Sequence, residues 1–301
     1  MHYLTRKISE LPAAQRQAIV KEILTSVTAA PDTQADRIQL VSMLDYTEEA
    51  TEYAKNFGKM QGMSSGYFAL DELTKGLVPG ELIVIAGKTS HGKTTLAVNV
   101  ANRVALANHR VLFVTMEMTK PQLTSRFMHI NGGADSEEYM LVAANTVYQH
   151  NDELRWQDID ALVANARSQF GVGLVVIDHL HHFTRELEHV ADDLGRITKE
   201  LQKNAQRHKL PIILISHVRK TLNGSPATID DLRSSSYIAQ DADIVLMVGK
   251  SDDSSKIAVR IEKNRNRGFA WNDNEREFIF DNTKILEDSE RVRAVNIPGG
   301  W

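Results

Sequence analysis

The residues with the clearest chemistry form the run GKTSHGKT, Gly87 to Thr94. They fit G-x-x-x-x-G-K-[ST], a pattern in which backbone N–H groups curl around the oxygens of a polyphosphate. In that arrangement Lys93 reaches the β and γ phosphates and Thr94 ligates Mg²⁺, while the following helix start adds positive potential. The predicted nucleotide-binding set is Gly87, Lys88, Thr89, Ser90, His91, Gly92, Lys93, Thr94 and Thr95. Ser90 and His91 occupy variable positions and need no side-chain role. The expected ligands are Mg²⁺ and ATP, or another NTP or dNTP, as substrate.

Three further candidates sit where apolar runs end. Asp178 closes LVVID, and a carboxylate there can hold the Mg²⁺ shell together with Thr94. Glu117 follows RVLFVTM and is placed to orient and deprotonate an attacking water. His217 follows PIILIS, where it either senses the γ-phosphate through a hydrogen bond or caps the strand. DHLHHF adds His179, His181 and His182 beside Asp178, with His189 nearby. An H-x-H pair after a strand invites a metal reading, but no second ligand pair has matching spacing. A structural or DNA-proximal loop is expected there, and no metal other than Mg²⁺.

These residues need a scaffold that brings strand ends together. ELIVIAG leads into the glycine-rich loop and TTLAVNVANRVALA leads out of it, which is the strand–loop–helix context that phosphate binding requires. RVLFVTM, GLVVID, LPIILIS and DIVLMVG are short continuous apolar runs, the mark of parallel strands buried on both faces. Helical segments separate them: PQLTSRFMHI, WQDIDALVANARSQF and DDLGRITKELQKNAQRH. The order predicts an α/β fold with a mostly parallel central sheet covered on both faces by helices. SKIAVRIEKNR and REFIFD alternate more and are expected to extend the sheet with antiparallel strands. The first sixty or so residues read as helical instead. Ile19, Val20, Ile23, Leu24 and Val27 recur at helical spacing, and a second helix is expected from about 35 to 57. The predicted division is a helical extension at 1–61, the α/β domain at 62–288 and a tail at 289–301.

Composition constrains the setting. The 301 residues are 42% hydrophobic and 25% charged, as in ordinary globular proteins. There is no cysteine, which excludes disulfides and thiolate-bound metal centres. No apolar run is long enough to span a bilayer, and the first residues lack a signal-peptide core. An intracellular, cytoplasmic protein with no membrane partner is expected. The net charge of −4 neither advertises nor excludes nucleic acid, because positive charge can be concentrated on one inner face.

FVTMEMTKPQLTSR, LVVIDHL, PIILISHVRK and IDDLRSSSYIAQDADIVLMV occur in one order. Together they resemble the RecA-like motor domain of hexameric replicative helicases, the DnaB-type enzymes and the helicase halves of phage primase–helicases. The resemblance covers about residues 62–288. In bacterial members position 217 is usually glutamine; His217 and His179 look closer to the phage and mitochondrial branch. The amino-terminal stretch is expected to hold neither a full DnaB N-terminal domain nor a primase motif. The resemblance implies Glu117 as catalytic base, Asp178 as metal-shell carboxylate and His217 as phosphate sensor, beside Lys93 as the phosphate-binding lysine. In IEKNRNRG, Lys263 and Arg265 match a K-x-R pair that reaches a neighbouring subunit's γ-phosphate; a register error would put Arg267 in place of Arg265. In DLRSSS, Arg233, Ser234 and Ser236 match a loop that follows the single-stranded DNA backbone, and Arg219 and Lys220 could add to that surface. The implied protein is an ATP-driven homo-hexameric helicase acting on single-stranded and fork DNA, with a primase or polymerase as partner and 5′ to 3′ polarity. Two rivals remain: a RecA- or KaiC-like ATPase that binds DNA without unwinding it, and a nucleotide-switched loader or adaptor.

Overall fold

Strand residues 82 to 86 alternate in direction, and both directions are buried, which explains why the run is apolar throughout. Ile83 and Ile85 belong to one core cluster, and Leu82, Val84 and Ala86 to another. The same division recurs in every central strand, so the sheet separates two cores. The computed structural model describes residues 47–56, 59–149, 154–180, 190–218, 236–265, 273–281 and 283–287, with a few isolated positions. Two compact units divide at Phe57 and Gly58. The first contributes α1 (Thr47–Asn56), within the span where a second amino-terminal helix is predicted. Of the helix predicted around residues 13–27 only Gln15 and Ala18 are described, both helical, and the tail after 288 lies outside the described residues.

The second unit holds the sheet. Its parallel strands are β1 (Leu82–Gly87), β2 (Val111–Thr115), β3 (Thr146–Gln149), β4 (Leu174–Asp178), β5 (Ile212–His217) and β6 (Ile244–Lys250). β7 (Lys256–Asn264), β8 (Glu275–Asp281) and β9 (Lys284–Leu286) continue it antiparallel. The order across the sheet is β3-β2-β4-β5-β1-β6-β7-β8-β9. One face is covered by α2 (Phe68–Thr74), α3 (Lys93–Leu106), α4 (Lys120–Ile130) and α5 (Glu137–Asn145), through residues such as Leu70, Leu96, Val100, Phe127 and Val142. The other is covered by α6 (Ile159–Phe170), α7 (Val190–His208) and α8 (Ser236–Asp241), through Val163, Leu194, Leu201 and Ile238. This is the predicted α/β architecture, including the antiparallel extension.

One helix–strand pair was not foreseen. EEYMLVAAN forms α5 and TVYQ forms β3, which adds to the outer edge of β2. Met140 is 61% exposed and β3 is only half-buried throughout, so neither segment carries a clean apolar period. Ser136 marks the helix start, its hydroxyl accepting from Tyr139 N at 3.0 Å.

The junction of β1 with the glycine-rich loop is tight. A Cβ on Gly87 would stand 2.3 Å from the Val248 carbonyl oxygen of β6. Gly87→Ala is therefore expected to force β1 and β6 apart and destabilise the domain by about 1–3 kcal/mol. Urea denaturation checks this, and a midpoint equal to wild type would contradict the packing.

Candidate active site

Parallel pairing sets the strand ends level. Gly87 at the end of β1 pairs with His217 at the end of β5, and Thr115 at the end of β2 pairs with Asp178 at the end of β4. The Thr115 hydroxyl then accepts from the backbone N–H groups of Glu117 at 3.3 Å and Met118 at 3.1 Å. This side-chain turn fixes the chain as it leaves β2 and presents Glu117 above the sheet edge. Thr119 and Gln122 cap α4 reciprocally just beyond, so the segment on both sides of Glu117 is held. The carboxyl edge of an open parallel sheet is where ligands bind.

The glycine-rich loop is formed as its pattern requires. Ser90 and Gly92 take positive φ, 63° and 91°, and α3 starts at Lys93. Lys93 is buried, and its Nζ donates to the Lys88 carbonyl at 2.8 Å, closing the loop on itself. Burial lowers the Lys93 ammonium to about 8, against the opposing pull of Asp178 and Glu117. Burial also lowers His91, helped by the charges of Lys250, Lys88 and Lys93. These cations surround one loop, and a polyphosphate would compensate them.

Asp178 is 1% exposed, and its Oδ2 accepts from the Thr94 hydroxyl at 3.2 Å. Its Oδ1 is buried with no hydrogen-bond partner among the described residues. Burial, then the charge of Glu117, raises the Asp178 carboxyl to about 7; Thr94, Lys93 and Arg126 act the other way. An orphaned carboxylate oxygen beside a hydroxyl is an all-oxygen donor set, and it suits Mg²⁺. His217 is pushed down by burial and by Lys93, opposed by Glu117, which favours the neutral imidazole.

The site therefore brings together Lys93, Thr94, Asp178, Glu117 and His217 from the ends of β1, β2, β4 and β5. Two further residues join them. His179, joined to Asp178 by a cis peptide bond, has its Nδ1 3.4 Å from Glu117 Oε2 and its ring edge-on to His217, with centroids 4.7 Å apart. Sequence proximity had grouped it with His181 and His182, which lie outside the described residues together with His189. Arg126 lines a cleft of about 430 Å³ with Glu117, Met118, Pro121, Gln122 and Ser125. Its only sequence signal was a cation on the helix that follows Glu117.

Lys263 and Arg265 are elsewhere. β7 runs antiparallel to β6 and pairs Asn264 with Ile244, which carries the pair to the amino edge of the sheet. The length of β1 separates that edge from the glycine-rich loop, roughly 17 Å at ~3.3 Å per residue. Lys263 Nζ donates to the carbonyls of Ala239, Gln240 and Ala242 at 2.7, 2.9 and 2.7 Å. Arg265 donates to Asp243 Oδ1 at 3.2 Å and to the Gln240 carbonyl, yet its side chain stays 41% exposed. Arg219, Lys220, Arg233, Ser234, the side chain of Ser236, and Arg267 lie outside the described residues.

The buried carboxylate makes a stability prediction. Asp178 ionises near 3.8 in the unfolded chain and about 7 when folded, so the folded state holds the proton more tightly. Stability from this group falls as pH rises from about 4 to about 7 and stays low above that. Asp178→Asn removes this cost, on the order of a few kcal/mol, while removing the charge a metal needs. Without nucleotide, the variant is expected to melt above wild type at pH 8, with a smaller gap at pH 5. Thermal melts across this range check it; a variant less stable at pH 8 would contradict the unpaired buried carboxylate.

The family model described as "AAA domain" matches residues 64–223. The replicative DNA helicase DnaB of Geobacillus stearothermophilus is 26% identical over 275 residues, covering 81% of this chain and 60% of its own length. A probable replicative DNA helicase of Trieres chinensis is 29% identical over 230 residues, covering 65% of this chain and 49% of its own. The chain thus spans about half to three fifths of these curated relatives. Among solved structures, one described as an ATPase domain superimposes with a TM-score of 0.69 at 20% identity, over 85% of this chain and 99% of that one. A DnaB-like replicative helicase, studied with its interactions with primase, gives 0.67 at 20% identity, over 95% and 74%. The fold is RecA-like. The chain belongs to the AAA domain family, and its phosphate-binding domain is similar to that of DnaB-type replicative helicases.

Proposed function

We propose that this chain is an ATP-driven, ring-forming DNA helicase that moves along single-stranded DNA and separates duplex ahead of it. The observation that carries this reading is the convergence of Lys93, Thr94, Asp178, Glu117 and His217 at one sheet edge. Similarity to proteins named as replicative DNA helicases adds the nucleic-acid substrate. Mg²⁺, held by Thr94 and Asp178, would screen charge on the transferring phosphoryl group. Lys93 balances the β and γ phosphates in a buried setting, where an uncompensated charge would be costly. Glu117 takes a proton from water as its oxygen bonds to the γ-phosphorus, and the bond to the β-phosphate oxygen breaks to release ADP and phosphate. His217, held neutral, can donate a hydrogen bond to the γ-phosphate and register its loss.

His217 also ends β5, and Arg219 and Lys220 follow it directly in the chain. Those residues, with Arg233, Ser234 and Ser236, are the proposed contacts to the DNA backbone, and two of them lie within three residues of the sensor along the chain. No base-stacking aromatic stands among them, which suits sequence-independent binding. The working setting is the cytoplasm, with a primase or polymerase as partner; no helix among the described residues is long and apolar enough to cross a membrane.

Arg265 cannot reach its own chain's loop across the sheet, so its role in hydrolysis requires a neighbour. In a homo-hexamer it would stabilise charge at the adjacent subunit's γ-phosphate. Lys263 would join it only by exchanging its three carbonyl partners for phosphate. A mixing experiment tests the shared site. Arg265→Ala keeps a sound phosphate loop but supplies no arginine, and Lys93→Ala has the opposite defect. Each variant alone is expected to be inactive, because every interface lacks one half. Mixed under subunit exchange, they are expected to regain part of the ATPase rate through interfaces that combine two intact halves. Persistent inactivity, with exchange verified by mass, would overturn the shared site.

A further inference from the structure

His179, His217 and Glu117 come from the ends of three strands, yet one ligand atom of each lies within 4.8 Å of the others. His179 Nδ1 stands 3.4 Å from Glu117 Oε2. That spacing matches two ligands of one tetrahedral ion at metal–ligand distances of about 2.1 Å. The two imidazoles stand nearly perpendicular, at 83° with centroids 4.7 Å apart, so the rim of one meets the face of the other. His179 is largely buried, its side chain 13% exposed, whereas Glu117 is open to solvent at 53%. The cluster is thus shielded on the His179 side and accessible on the carboxylate side. The surrounding charge is balanced, Glu117 and Asp178 against Lys93 and Arg126, so the donor atoms rather than net charge select the ion.

We infer that Glu117, His179 and His217 form a second cation site, separate from the Thr94–Asp178 pair, that takes a borderline transition metal such as Zn²⁺ or Co²⁺. The donor sets decide the selectivity. Two imidazole nitrogens with one carboxylate oxygen suit Zn²⁺, Co²⁺ or Ni²⁺, whereas the oxygens of Thr94 and Asp178 suit Mg²⁺. Occupancy would tie up Glu117, the proposed base, so the ion would act as a reversible inhibitor of water activation. That consequence rests on the proposed hydrolysis; the binding itself does not.

Co²⁺ is the probe, because its visible absorption reports nitrogen ligation. The nucleotide-free full chain is titrated with Co²⁺ in millimolar Mg²⁺. One Co²⁺ per chain should bind at this site with nitrogen-type absorption and resist the Mg²⁺. Glu117→Gln and His179→Ala should each weaken it by about tenfold or more. The double change His181→Ala with His182→Ala, which removes the neighbouring histidines, should leave it intact. Glu117 is exposed, so Glu117→Gln keeps the test valid even if His179→Ala fails to fold. Absent nitrogen-type absorption, displacement by Mg²⁺, or binding indifferent to Glu117→Gln would overturn the site. In parallel, ATPase should fall as Co²⁺ absorption rises. Binding without loss of turnover overturns Glu117 as the base and leaves the cation site standing.

Discussion

Two strand registers, Gly87 beside His217 and Thr115 beside Asp178, fix where every reactive side chain lies. A slip of one residue in either pairing would turn the strand's apolar faces over. It would also move His217 or Asp178 by roughly 3.3 Å along the strand. The registers resist slipping because both faces are committed. Ile213 and Ile215 fill one core and Ile212 and Leu214 the other, so a slip would force both close-packed cores to repack. The chemistry of the edge is thus held in place by apolar packing that never touches it.

That packing also makes the edge costly. Lys93 and Asp178 carry opposite charges in buried positions, one lowered to about 8 and the other raised to about 7. Each perturbation has burial as its largest cause, so both groups are strained towards neutrality before any ligand arrives. A polyphosphate with its metal supplies what each lacks, negative charge for Lys93 and a cation for Asp178. Binding should therefore relieve a cost already built into the folded chain, and hydrolysis should partly restore it. That alternation is the proposed source of force on the segment leaving β5.

Much of this was legible in the sequence because the signals were local. GKTSHGKT lies in one run, and continuous apolar strands ending in Asp178 or His217 announced both the parallel sheet and its edge. α5 and β3 were missed because an exposed Met140 and a half-buried TVYQ obscure the period. His179 was misgrouped for a different reason: its neighbours along the chain are histidines, whereas its neighbours in space are Glu117 and His217. The amino-edge location of Lys263 and Arg265 followed from neither spacing nor composition. It depends on β7 turning back against β6, a pairing that only the folded sheet reveals.

Central to the proposed function is that this sheet edge is a nucleotide motor loaded by DNA. Its most direct test is the steady-state ATPase rate of the full chain with and without single-stranded DNA, at low and moderate salt. DNA is expected to raise turnover several-fold, with the stimulation shrinking as salt weakens backbone contacts. An ATPase whose rate is the same with and without DNA at every salt concentration would contradict it.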